Sequence, residues 1–123
     1  MFNQLIGLWM YSGLIFQGAP MPKPSPELVI YFQFENQYEN TLYYFRQGER
    51  GFCERKASYS VEGNQLKQTI TTVNPQNADV CSQDPDMQKD RSSSTEFEIK
   101  DGQLYLHLQL GEDKLIYVWS KIY

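Results

Sequence analysis

The chain has 123 residues and a formal net charge of −4, which leaves room for one domain with one core. It shows no basic stripe of the kind that nucleic-acid binding requires, and no segment reaches the roughly 20 apolar residues of a membrane-spanning helix. Nine Tyr, seven Phe and two Trp favour pleated, half-buried surfaces, so the composition predicts an all-β domain.

The first segment, MFNQLIGLWMYSGLIFQGAP, has two interpretations, a secretory signal peptide or the first strand of the domain. A signal peptide begins with basic residues and continues as an uninterrupted apolar run. Here the first basic residue is Lys23, and Ser12 interrupts the apolar run. Strand alternation instead places Trp9, Tyr11 and Gly13 on one face. We therefore interpret the segment as a retained strand and expect any export leader to have been removed upstream.

Turn residues divide the rest of the chain into seven further strands: ELVIYFQF, TLYYFRQ, FCERKASYSV, LKQTITTV, STEFEIK, LYLHLQL and LIYVWSKI. The turn at Asp101-Gly102 is the strongest hairpin signal. Because opposed residues in an antiparallel pair share a face, the turns also predict pairs. These pairs are Arg46 with Cys53, Tyr44 with Arg55, Val61 with Leu66, Tyr59 with Gln68, Arg55 with Thr72, Ile99 with Leu104, and Leu106 with Trp119.

Eight consecutively paired strands with short connections predict one domain over residues 1–123, an eight-stranded antiparallel up-and-down barrel. Closure into a barrel removes the exposed sheet edges that an open meander would leave. A two-sheet sandwich is the structural alternative, but it normally uses longer crossover connections than most of those present here.

Gly7-Leu8-Trp9 on the first strand resembles the Gly-x-Trp signature of lipocalins. YVWSKI resembles the closing strand of that family, in which a basic side chain, here Lys121, covers the tryptophan. Two features depart from the family: KDGQ replaces its Thr-Asp-Tyr motif, and the helix that follows the barrel is absent. The resemblance, strongest to short bacterial lipocalin-like domains of the calycin type, implies a small-molecule-binding barrel. It also implies a closed floor formed by Gly7, Trp9 and Lys121.

Two isolated cysteines, Cys53 and Cys81, accompany a single histidine, so a zinc site of the Cys/His type is disfavoured. Odd-numbered connections of a meander share one end, which places the polar stretch Asn74–Ser92 at the rim beside Cys53. The two cysteines therefore predict a disulfide and an oxidising, periplasmic or extracellular location. Two unrelated buried thiols are the alternative. The bridge would draw the loop across the mouth as a lid or a docking surface.

Below the rim, the predicted inward face carries a polar set that could bind a ligand: Tyr44, Arg46, Arg55, Tyr59, Gln68 and Thr72. Inward arginines are costly to bury unpaired, and a carboxylate or phosphate ligand would compensate them. Internal ion pairs, or solvent exposure of Arg46, are the alternatives.

The chain contains no recognisable catalytic motif. We expect a monomeric, non-enzymatic protein that uses no cofactor or metal and binds a small apolar or amphiphilic ligand with an acidic head group. The alternative is a protein-interaction or inhibitor module of the cell envelope that uses the loop at residues 74–92.

Overall fold

The computed structural model describes residues 4–22 and 25–122. Within these residues, nine antiparallel strands form one sheet. The strands are β1 Gly7–Phe16, β2 Ala19–Met21, β3 Leu28–Phe34, β4 Glu39–Arg46, β5 Cys53–Glu62, β6 Gln65–Val73, β7 Ser92–Lys100, β8 Gln103–Leu110 and β9 Asp113–Lys121. Each strand from β3 to β8 pairs with the next, and β1 pairs with both β3 and β9. The predicted closed eight-stranded barrel is confirmed, with β2 as an addition.

The short strand β2 lies in a segment that the sequence analysis assigned to a loop. It folds back on the upper part of β1, with Ile15 opposite Pro20. Gln17 and Gly18 form a two-residue turn with φ values of 51° and 83°, the conformation that tight hairpins prefer. A Cβ atom at Gly13 would lie 3.1 Å from the Met21 carbonyl oxygen, so glycine permits this close approach. Because β2 is an edge strand, it tolerates a proline.

The register between strands differs from the prediction at two hairpins. The pairs Val61 with Leu66, Tyr59 with Gln68, and Ile99 with Leu104 are confirmed. Tyr44, however, lies opposite Cys53 instead of Arg55, and Trp119 lies opposite Leu104 instead of Leu106. Both errors are shifts of two residues, which arise from misjudged turn lengths. A shift of two preserves the face of every side chain, so the inward set is largely retained.

A β-bulge in β6 overturns the predicted orientation of Thr72. The ladder pairs Ala57 with Ile70 but Lys56 with Thr72, so β6 contributes one extra residue at this point. Arg55 consequently lies opposite Val73. A bulge reverses the alternation beyond it, and Thr72 is therefore exposed on the outer wall beside Lys56. The prediction that Thr72 lines the interior is wrong.

The barrel interior is largely occupied by side chains. Aromatic rings cross it in contact with one another: the centroid of Phe32 lies 4.6 Å from that of Phe34 and 5.5 Å from that of Trp119. The ring of Phe34 in turn lies 5.0 Å from Tyr59. Two surface grooves, of about 670 and 440 Å³, are lined mainly by outward-facing residues such as Ser58, Thr69 and Tyr43. Aromatic side chains fill the part of the interior around Phe32.

The end of the barrel opposite the long connections is closed by Trp9, which is 0% exposed. Its indole Nε1 donates a hydrogen bond to the Leu5 carbonyl oxygen at 2.9 Å. Lys121 lies opposite Trp9 in the β1–β9 ladder and holds its ammonium 5.5 Å from the ring centroid. Gly7 begins β1 with a φ of 141°, a conformation that glycine adopts readily. These contacts form the floor of the barrel.

Candidate functional site

The open end of the barrel is covered by the connection between β6 and β7, residues 74–91, which we call the rim loop. It contains two 3-10 turns, Asp79–Gln83 and Pro85–Met87. The predicted disulfide is confirmed: Cys53 at the start of β5 is bonded to Cys81 in the first of these turns, with their Cα atoms 5.7 Å apart. The rim loop is thus ordered and covalently held to the barrel wall.

Hydrogen bonds to the backbone of the neighbouring strands also attach the rim loop. The Asn77 side chain accepts from the Glu54 amide at 2.9 Å and donates to the Glu54 carbonyl at 3.1 Å, as a paired strand would. At the other end of the loop, the Asp90 amide donates to the Ile70 carbonyl at 2.7 Å. The loop is thus fixed on both sides of the mouth. Its use as a docking surface for a protein partner stays a prediction.

The second 3-10 turn places an apolar side chain in the mouth. Met87 is 3% exposed and belongs to the same hydrophobic cluster as the barrel interior. The turn is held from below, because the Tyr44 hydroxyl donates a hydrogen bond to the Asp84 carboxylate. Burial, together with that carboxylate, raises the pKa of Tyr44 above its usual value, so the phenol remains a donor. Tyr44, a predicted ligand contact, therefore fastens the rim loop in this structure.

Arg55 lies one inward position below Cys53 on β5 and is 4% exposed. Its Nη1 donates to Asn40 Oδ1 at 2.5 Å, and its guanidinium carbon lies 5.4 Å from the centroid of the Phe32 ring. Its Nε is buried and has no hydrogen-bond partner among the described residues. Among residues 4–22 and 25–122, no carboxylate lies within ion-pair distance of the Arg55 guanidinium. Burial lowers the pKa of Arg55 to about 10, so it is still cationic at neutral pH.

Asn40 links Arg55 to a third polar side chain. It is 0% exposed, and its Nδ2 donates to Gln68 Oε1 at 3.0 Å. The result is a hydrogen-bonded row of Arg55, Asn40 and Gln68 inside the barrel. Asn40 lies outside the predicted strand, which begins at Thr41, whereas β4 begins at Glu39. Extending the inward alternation of β4 by two residues, from Leu42 to Asn40, would have placed Asn40 inside the barrel.

The remaining predicted residues lie elsewhere. Arg46 is exposed at the rim, where its Nη1 donates to Ser25 Oγ at 2.9 Å. The hydroxyl of the buried Tyr59 donates to the carbonyl of Asn36, in the connection at the floor end. Of the predicted polar set, the structure thus brings together Arg55 and Gln68, through Asn40. Arg46 reaches solvent, as the alternative interpretation held.

Within residues 4–22 and 25–122, His, Cys, Asp and Glu side chains form no group of three or more that could hold a metal ion. The same residues contain no helix with the length and apolar character needed to cross a membrane.

The barrel has counterparts among solved structures. A lipocalin-like protein from Bacteroides uniformis matches 98% of this chain and 100% of its own, with 14% sequence identity and a TM-score of 0.62. A mutant of the fluorescent protein UnaG matches over 100% and 99% of the two chains, with 13% identity and a TM-score of 0.47. No family model and no curated protein sequence matches the chain. The fold is that of a lipocalin-like barrel, in agreement with the resemblance of Gly7-Leu8-Trp9 and Lys121.

Proposed function

We propose that this barrel is a non-enzymatic binding protein for a small amphiphilic ligand whose acidic head group is held by Arg55. The observation that carries the proposal is the buried guanidinium with an unpaired Nε and no carboxylate at ion-pair distance among the described residues. The charges of Asp86 and Glu35 act on Arg55 from beyond ion-pair distance and offset only part of the cost of burying it. Asn40 occupies Nη1, and the edge formed by Nε and Nη2 is the one that binds a carboxylate with two parallel hydrogen bonds.

The apolar part of the ligand takes the place of Met87. This side chain comes from the rim loop and not from a strand, and the turn that carries it packs against β5 and β6 beside Arg55. Methionine is unbranched and flexible, so it can leave the mouth with little rearrangement of the barrel wall. The disulfide keeps the rim loop attached while the turn Pro85–Met87 opens.

Two general arguments support this role. Eight-stranded barrels of the lipocalin type are wide enough to hold one small ligand. A disulfide between Cys53 and Cys81 is typical of proteins that work in an oxidising environment, so we propose a periplasmic or extracellular location.

Calorimetric titration with octanoate tests the proposal, with octanol as the uncharged control probe. Arg55→Met is expected to weaken octanoate binding about 10- to 100-fold, because a hydrogen bond to a charged group contributes about 1.5–3 kcal/mol. Arg46→Met removes an exposed arginine at the same rim and serves as the matched control, with unchanged affinity. Met87→Ala is expected to strengthen binding of both probes. Equal affinity of wild type and Arg55→Met for octanoate, or no binding by Met87→Ala, would overturn the proposal.

A further inference from the structure

A second buried donor inside the barrel lacks a partner. Trp119 is 4% exposed, and its indole Nε1 makes no hydrogen bond with any described residue. The other tryptophan differs, because Trp9 Nε1 is bonded to the Leu5 carbonyl. Arg55 Nε is the other buried side-chain nitrogen in this condition within the described chain. An unsatisfied buried donor loses its hydrogen bond to water without replacement, which costs free energy. Two such donors in one interior therefore point to acceptors that the described residues do not supply.

Both donor groups pack against the same aromatic ring. The guanidinium carbon of Arg55 lies 5.4 Å from the Phe32 centroid, and the indole of Trp119 lies 5.5 Å from it with its plane inclined by 62°. Phe32 is itself 3% exposed. The side chains that carry the two unpaired donors therefore lie next to one apolar ring inside the barrel.

We infer that the ligand is a carboxylic acid with a second hydrogen-bond acceptor, such as a keto oxygen. The carboxylate lies at Arg55, and Trp119 Nε1 donates to the second acceptor. This inference rests on the proposed function and deepens it, because it makes Trp119 a specificity-determining residue. An acid whose tail is pure hydrocarbon leaves the indole donor unsatisfied and binds less tightly.

Titration with octanoate and its 4-, 5-, 6- and 7-oxo derivatives tests this inference, because these acids differ by one carbonyl oxygen and its position. At least one oxo acid is expected to bind wild type about tenfold more tightly than octanoate, the effect of one hydrogen bond of about 1.4 kcal/mol. Trp119→Phe retains an aromatic ring without the donor. It is expected to abolish this preference, so that the oxo acid and octanoate bind the variant with equal affinity.

Nuclear magnetic resonance on the wild-type protein gives a readout that needs no variant to fold. The chain has two tryptophans and so two indole N–H signals. The preferred oxo acid should move the Trp119 signal downfield, as a new hydrogen bond does, whereas the Trp9 signal serves as an internal control. Octanoate should move neither signal by a comparable amount.

The outcomes separate the two proposals. Octanoate binding that depends on Arg55, without tighter binding of any oxo acid, would show that the inference of a second acceptor is wrong. A Trp119 signal that no probe moves would show the same. In both cases the proposed function stands. An indole signal already far downfield without ligand, and unchanged on titration, would show that water satisfies the donor and would equally overturn the inference. If Arg55→Met binds every acid as well as wild type does, the proposed function itself fails.

Discussion

Removing the disulfide between Cys53 and Cys81 is expected to destabilise the whole barrel. The bridge joins residues that are 28 positions apart. In the chain-entropy model, closing a segment of this length in the unfolded chain is worth about 3.6 kcal/mol. At about 4 °C per kcal/mol for a domain of this size, the midpoint of thermal unfolding should fall by about 14 °C. The perturbation is the double substitution Cys53→Ala and Cys81→Ala, which leaves no unpaired thiol.

Urea unfolding followed by tryptophan fluorescence measures this change, because Trp9 and Trp119 are both buried in the core. Oxidised wild type and the double variant are compared at one pH, and wild type with reductant provides an independent comparison. Reductant must not alter the double variant, which controls for its other effects. A difference in the free energy of unfolding below about 0.5 kcal/mol would refute the reasoning. It would show that the hydrogen bonds of the rim loop already restrict the chain as strongly as the bridge does.

Three further predictions concern single side chains. The phenol of Tyr44 has a raised pKa, so its contribution to stability is complete below pH 10 and is lost as the pH rises further. Tyr44→Phe should flatten this alkaline decline in the free energy of urea unfolding. An unchanged dependence of that free energy on pH would contradict the role of the hydrogen bond from Tyr44 to Asp84. Asn40→Leu should destabilise the barrel by about 1–3 kcal/mol because it removes the acceptor of Arg55, and combining it with Arg55→Met should recover much of the loss. Strict additivity of the two substitutions in chemical unfolding would argue against their coupling. Lys121→Met should cost about 0.5–1 kcal/mol in urea unfolding at low salt and less in 1 M salt, because it removes an exposed cation from the indole at the floor. No loss of stability at low salt would contradict this contact.

The fold was predictable because alternation is a strong signal in strands with one buried face. It placed Trp9, Tyr59 and Arg55 on the inward side, where all three are buried. The exact register was less accessible, since it depends on how tightly each turn closes. The turn at Gly111-Glu112 is only two residues long, whereas the predicted strands leave the four residues GEDK between them. This difference displaces the predicted partner of Trp119 by two positions.

The candidate site was predictable only in part, for two physical reasons. A β-bulge leaves no mark in the hydrophobic pattern of β6, so Thr72 was assigned to the wrong face. The rim loop has no periodicity, and neither the burial of Met87 nor the bond from Tyr44 to Asp84 follows from local sequence. Both are contacts between segments distant in the chain. Arg55 was found because it lies in a regular strand.

The pairing of β1 with β9 has a consequence for synthesis of the protein. Trp9 lies opposite Lys121 in this ladder, so the seam joins the first barrel strand to the last. A nascent chain emerging from the ribosome therefore carries β1 with an open edge until the last strand has been made. Non-local pairing of this kind slows folding, and open edges favour association with other chains. Truncation before β9 should thus yield an aggregating product, because it exposes the edges of both β1 and β8.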